Sequence, residues 1–128
     1  MAKNRYKLFV YGTLKRGFCN HHYLHNAKFL GKATTKSPFP LIAPKRWYPY
    51  LLDEEGEGYK VEGELYEVDE KTLADIDRLE EYPLYYTRRY IAVEDQKGQI
   101  HQALAYFLNE PMEWRGQKIL KKFEPKKK

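Results

Sequence analysis

Tyr59-Lys60-Val61-Glu62-Gly63-Glu64-Leu65-Tyr66-Glu67-Val68 alternates residue by residue, and Asp69 follows it directly. Alternate side chains of a strand face opposite sides, so this run reads as a strand with one charged face. Asp69 then reads as the N-cap of a helix, with Leu73, Ile76 and Leu79 one turn apart on its buried side. Glu80-Glu81-Tyr82-Pro83 ends that helix, because a proline disfavours helical geometry in the residue before it. Outward from this unit, Arg5-Tyr6-Lys7-Leu8-Phe9-Val10 alternates as a strand, and residues 86–93 and 99–108 read as two strands joined across Asp95-Gln96-Lys97-Gly98. Doubly wound folds alternate strand and helix throughout, and this chain does not. The expected class is α+β, with enough strands to curl into a small barrel.

The intervening pieces are shorter. Between Cys19 and Gly31, Asn20 is placed as an N-cap, Tyr23, Leu24, Ala27 and Leu30 fall near helical spacing, and Gly31 is placed to stop a short helix. Ser37-Pro38-Phe39-Pro40-Leu41-Ile42-Ala43-Pro44 is broken by proline, so any strand in it is short or at an edge. Trp47-Tyr48-Pro49-Tyr50-Leu51-Leu52 is a further apolar piece, closed by the turn Asp53-Glu54-Glu55-Gly56-Glu57-Gly58.

At 128 residues, 42% of them hydrophobic, the chain is sized for one domain with a real core. Residues 1–118 are expected to form it, with 119–128 as a basic tail that is solvated and frayed. The net charge of +5 resides partly in that tail, in Lys118, Lys121, Lys122, Lys126, Lys127 and Lys128. The body interleaves Lys with Glu, which argues against a nucleic-acid groove. No run of eighteen apolar residues and no signal-peptide pattern is present, so neither a membrane span nor export is expected. A lone cysteine, Cys19, fits a reducing compartment, and the expectation is a soluble cytoplasmic protein. Oligomeric state leaves no signal in the sequence.

Several constellations compete for chemistry. Val10-Tyr11-Gly12-Thr13-Leu14-Lys15-Arg16-Gly17 breaks a strand between two glycines and bares backbone N–H groups. Such a turn can cradle an anion or an oxyanion, and Gly12 would let a substrate approach the backbone closely. It is neither a P-loop nor a dinucleotide fingerprint, so nucleotide binding drops out. Cys19 with His21, His22 and His25 is too crowded for a structural zinc site and lacks a second ligand pair, so no metal is expected. In Asp77-Arg78-Leu79-Glu80-Glu81, Glu80 adjoins the apolar stripe while Asp77 and Glu81 are expected to stay wetter. A carboxylate at a cavity wall has its pKa raised toward neutrality, as a general acid and base requires. Tyr82, Tyr85, Tyr86, Arg88, Arg89 and Tyr90 allow stacking on nucleic acid, but a strand's alternation favours structural use.

Taken in register, several of these segments resemble the gamma-glutamylcyclotransferase-like family: 9–17 with Asn20-His21, Phe39-Pro40-Leu41-Ile42, Pro49-Tyr50-Leu51-Leu52, 61–70, Ile76-Asp77-Arg78-Leu79-Glu80-Glu81-Tyr82-Pro83 and Tyr86-Thr87-Arg88. The resemblance implies a small mixed β-barrel flanked by two or three helices, with the 11–14 turn lining a pocket at one end. It implies a cofactor-free reaction on a γ-glutamyl amine or amide, in which the substrate's α-amine attacks its own γ-carbonyl to give 5-oxoproline and a free amine. It also implies that Glu80 is the catalytic carboxylate and that backbone groups of Tyr11, Gly12, Thr13 and Leu14 hold the glutamyl moiety. Tyr86 would stand near the site and Arg88 would support it. Two alternatives stay open: a pocket-bearing binding or regulatory domain without turnover, and a related lyase on another acyl donor. Glu81 departs from the small residue, such as glycine, usual in the family. Two readings follow: it raises the pKa of Glu80 by repulsion, or it receives a cationic amine product.

Overall fold

A computed structural model describes residues 4–45 and 48–124. Trp47, Lys126, Lys127 and Lys128, which figure in the sequence readings, lie outside the described residues. The elements in chain order are β1 (Arg5–Val10), a 3-10 turn (His21–Leu24), β2 (Lys28–Phe39), β3 (Leu41–Ile42), β4 (Tyr50–Leu51), β5 (Tyr59–Asp69), α1 (Glu70–Leu79), β6 (Tyr86–Asp95) and β7 (Ile100–Leu108). Among the described residues a closed barrel runs β1-β5-β2-β6-β7, and β3 pairs with β4 in a separate two-stranded ladder. Neighbouring barrel strands are antiparallel except at the closure, where β1 meets β7 in parallel at Leu8 and Leu104.

Alternation along the strands builds two cores. Phe9, Val61, Leu65, Ile91, Val93, Ala103, Ala105 and Phe107 gather in one buried cluster, on the side of the strands that faces the barrel interior. Their sequence neighbours Leu8, Val10, Tyr66, Val68, Leu104 and Tyr106 gather in the other, with Leu73 and Ile76 of α1. Strands covered on both faces explain the unbroken apolar runs of β1 and β7. The expected α+β barrel is present, and its helical complement among the described residues is one α-helix and one 3-10 turn.

Helix α1 begins as expected: the Asp69 carboxylate accepts from the Thr72 N–H at 2.8 Å. Its end is set by Glu81 rather than by Pro83. Glu81 has φ 54, its N–H donates to the Arg78 carbonyl (3.2 Å), and the Tyr82 N–H donates to that of Asp77 (2.9 Å). These two bonds make a Schellman cap, in which the left-handed position ordinarily belongs to glycine.

Two expectations are corrected. The segment around Asn20 is not a helix stopped by Gly31. Only His21–Leu24 coils, the Asn20 side chain makes no cap, and Lys28 already opens β2. Gly31, at φ 122, sits where the pairing of β2 with β5 slips, so it marks a bulge. The segment expected to fray is tied down as far as Phe123. The Leu120 N–H donates to the Leu41 carbonyl (2.8 Å), the Lys121 carbonyl accepts from Glu62 (2.8 Å), and buried Phe123 accepts from the Lys15 ammonium (2.6 Å).

The long strand β2 escaped the sequence reading because of Pro38. Proline cannot donate to a ladder, and the register with β5 shifts between Thr34 and Pro38. The buried Thr35 hydroxyl bridges the gap, accepting from the Val61 N–H (2.8 Å) and donating to the Ser37 carbonyl (2.6 Å). Thr35→Val keeps the shape but strands the Val61 N–H, so urea unfolding should show a loss of about 1–3 kcal/mol. Glu81→Gly should act in the opposite sense and raise stability by about 1 kcal/mol, because a left-handed residue loses its Cβ clash.

Candidate active site

Beyond Leu8 and Leu104 the closing strands have no further register partners among the described residues. A cavity of about 330 Å³ opens there, lined by the 11–14 turn, the end of α1, Tyr48, Tyr86 and Tyr106. The turn is held from behind. The Gly12 carbonyl accepts from the Lys15 N–H (3.1 Å), and the Thr13 carbonyl from the Asn20 N–H (3.0 Å). The Asn20 amide donates to the Thr13 hydroxyl (2.9 Å), and the His21 ring meets the Leu14 carbonyl (2.9 Å). With the carbonyls engaged outward, the N–H groups of Gly12, Thr13 and Leu14 have no backbone acceptor among the described residues.

The reading of Gly12 changes. A Cβ there would lie 2.9 Å from the Pro49 ring, so the missing side chain makes room for the protein's own proline. Pro49 in turn accepts from the buried Tyr86 hydroxyl (3.2 Å), which fixes the cavity wall on that side.

Glu80 is the C-cap of α1, half-buried against this cavity. Burial pushes its carboxyl from 4.5 up to about 7. Burial is the cause, not repulsion from Glu81, so that reading of Glu81 falls away. The phenols around Glu80 go the other way functionally. Burial, with Glu80 adding to it, raises Tyr11 well above its ordinary value. Tyr86 is raised by burial and by Tyr11, and Tyr106 by burial and by its bond to Asp77. All three therefore stay protonated as hydrogen-bond donors, while Glu80 titrates near neutrality.

Asp77 was expected to be wet, and it is not. It receives Arg88 in a fork, Nε at 2.8 Å and Nη2 at 3.0 Å, and the Tyr106 hydroxyl at 2.6 Å. Tyr11 donates to the Tyr106 carbonyl at 2.6 Å. Arg88 does not line the cavity; it ties the helix that carries Glu80 to β6 and β7. The structure thus brings together Tyr11, Gly12, Thr13, Leu14, Glu80 and Tyr86 around one cavity, with Arg88 behind it. The sequence reading missed Tyr106, Pro49 and the Asn20–Thr13 tie. Tyr106 is hidden in an apolar run, and Asn20 looked like a cap.

The profile of the family described as gamma-glutamyl cyclotransferase, AIG2-like, matches residues 8–124. The chain belongs to that family. Gamma-glutamylaminecyclotransferase C of Danio rerio is 46% identical to it over 97 residues, covering 71% of this chain and 64% of its own length. Gamma-glutamylaminecyclotransferase of Bos taurus is 41% identical over 115 residues, covering 84% and 68%. The crystal structure of an AIG2-like protein of Mus musculus superposes with a TM-score of 0.86 at 34% identity, over 94% of this chain and 89% of that one. This AIG2-like chain has no helix among its described residues long and apolar enough to cross a membrane.

The raised Glu80 carboxyl has a consequence for stability. The folded chain holds this proton more tightly than the unfolded chain does. Stability contributed below about pH 4.5 is therefore lost as pH rises through about 7. Glu80→Gln removes the dependence. From pH 4 to pH 8 the variant should gain up to about 3 kcal/mol relative to the parent in chemical unfolding, and parallel curves would show that Glu80 is not buried in solution.

Proposed function

We propose that this protein converts a γ-glutamyl amine or amide to 5-oxoproline and a free amine, with Glu80 as general acid and base. The observation that carries the reading is a carboxyl titrating near 7 in the same cavity as three N–H groups that lack backbone partners among the described residues. Membership of the gamma-glutamyl cyclotransferase family supports it, as do relatives named for γ-glutamylamine. A cavity of about 330 Å³ suits a small ligand.

The substrate's α-amine arrives largely as an ammonium. The Glu80 carboxylate takes one of its protons, and the freed nitrogen attacks the γ-carbonyl carbon to close a five-membered ring. Attack within one molecule is favoured once the flexible glutamyl chain is held folded, and the aromatic walls from Tyr11, Tyr86 and Tyr106 supply that shape. The oxyanion accepts from the N–H groups of Gly12, Thr13 and Leu14, which need no rearrangement to meet it. Collapse breaks the bond to the leaving nitrogen, which takes the proton from Glu80, and the ring nitrogen's remaining extra proton then passes through the Glu80 carboxylate to the freed amine, which departs as an ammonium. The carboxylate returns as it began, and no step calls for a cofactor or metal. The free, exposed thiol of Cys19 supports a cytoplasmic setting.

Wild type should release 5-oxoproline with an acid limb near pH 7, since a protonated Glu80 cannot accept a proton. Glu80→Gln should lose about 100-fold or more in kcat while keeping the fold. Comparable release by parent and variant would refute the assignment.

A further inference from the structure

Among the described residues Lys15 is the one buried residue that carries a charge. Burying an ammonium is costly: burial lowers the Lys15 pKa, and Glu64 acts against that. None of the ion pairs among the described residues includes Lys15. Its ammonium donates instead to the Phe123 carbonyl (2.6 Å) and stands 5.1 Å from the centre of the Phe18 ring, which packs on the Phe123 ring at 5.5 Å. A methionine or leucine would fill the same space without the desolvation cost, so what the ammonium adds is a directed attachment.

The backbone of Lys15 closes the turn that faces the reaction cavity. Its N–H donates to the Gly12 carbonyl (3.1 Å), so Gly12, Thr13, Leu14 and Lys15 form one β-turn. Its carbonyl accepts from the Phe18 N–H (3.1 Å), which starts a second. The three N–H groups assigned to the oxyanion thus belong to a turn whose closing residue is fastened through its side chain. The fastening point is itself held, because Leu120 bonds to Leu41 and Lys121 to Glu62 just ahead of Phe123. Lys15 does not line the reaction cavity. It lines a separate one of about 360 Å³, and the described walls of the two share no residue.

We infer that Lys15 is a positioning residue for the proposed reaction: fastened to the Phe123 carbonyl, it holds the 12–15 turn in the orientation its N–H groups need to meet the oxyanion. The inference rests on the proposed cyclotransferase reaction and adds to it a residue that does not touch the substrate. Glu80 is placed by a different attachment, through Asp77 and Arg88.

The test measures 5-oxoproline release from a panel of neutral and charged γ-glutamyl alkylamines by wild type, then by Lys15→Met, Lys15→Leu and Lys15→Arg on the substrate that wild type turns over fastest. The folded fraction is read by circular dichroism, and rates are given per folded chain. Losing the attachment displaces donors that act in the transition state, so Lys15→Met and Lys15→Leu should lose about tenfold in kcat with KM little changed. Two donorless side chains of different shape keep a folding defect in one from deciding the matter. Lys15→Arg keeps a donor, with the second cavity giving room for its larger head, and should restore most of the rate. The acid limb near pH 7 should stay in place in all three, because Glu80 is untouched. Parental kcat in Lys15→Met and Lys15→Leu, whatever their stability, overturns the inference, and so does a loss that Lys15→Arg shares. A limb that moves overturns it as well, since Lys15 would then act through Glu80. In each of these cases wild type still releases 5-oxoproline and the cyclotransferase reading stands. No release by wild type from any member of the panel overturns that reading, and this inference with it.

Discussion

The fork of Arg88 on Asp77, with the Tyr106 hydroxyl sharing the same carboxylate, is the junction on which the site depends. It joins α1 to β6 and β7, strands that pair with each other in a ladder but share none with the helix. A half-buried ion pair is weak evidence for stability, because desolvation offsets much of its attraction. Its value here is geometric. The planar guanidinium accepts one orientation of the carboxylate, and Asp77 stands one helical turn from the residue that enters the cavity. Tyr106 carries the same constraint onward, since its carbonyl holds the Tyr11 hydroxyl across the opening between β1 and β7. Helix end, barrel seam and 11–14 turn are thereby fixed relative to one another through four side chains, Arg88, Asp77, Tyr106 and Tyr11.

Departures from local rules gather at this junction. Glu81 takes a glycine conformation, Glu80 holds a carboxyl in a site that favours its neutral form, and the 11–14 turn leaves N–H groups without backbone partners among the described residues. Each costs stability. No buried side-chain polar atom among the described residues lacks a hydrogen-bond partner. Several departures gathered at one cavity are what a functional site looks like against a well-formed fold.

How far the sequence could be read follows the same physics. β5, the start of α1 and the β6–β7 hairpin were legible because local pattern and tertiary environment agree there. β2 was not, because Pro38 and Gly31 signal breaks that the barrel absorbs as bulges, with Thr35 replacing a missing ladder bond. The 20–31 segment misled for a similar reason: its apolar spacing suits a helix, yet β5 offers Lys28 and Phe29 strand partners. Within the site, Glu80 was legible from its place beside the apolar stripe. Asp77 was not, because its burial comes from Arg88 and Tyr106, distant in sequence. Gly12 was legible as a position that tolerates no side chain, but its occupant, Pro49, belongs to another segment.

The two ends of the cavity carry opposite fields. The 11–14 turn presents N–H groups, which favour negative charge. Glu80 stands at the C-terminus of α1, the negative end of the helix dipole, which disfavours a carboxylate. Burial acts in the same direction. Had the acid been placed at the turn, those N–H groups would have held it ionised and strongly acidic, unable to return a proton near neutral pH. In the proposed reaction the separation gives the stabilising field to the substrate's oxyanion. The group that must gain and lose a proton keeps a pKa near 7, and one carboxyl can then serve both proton transfers.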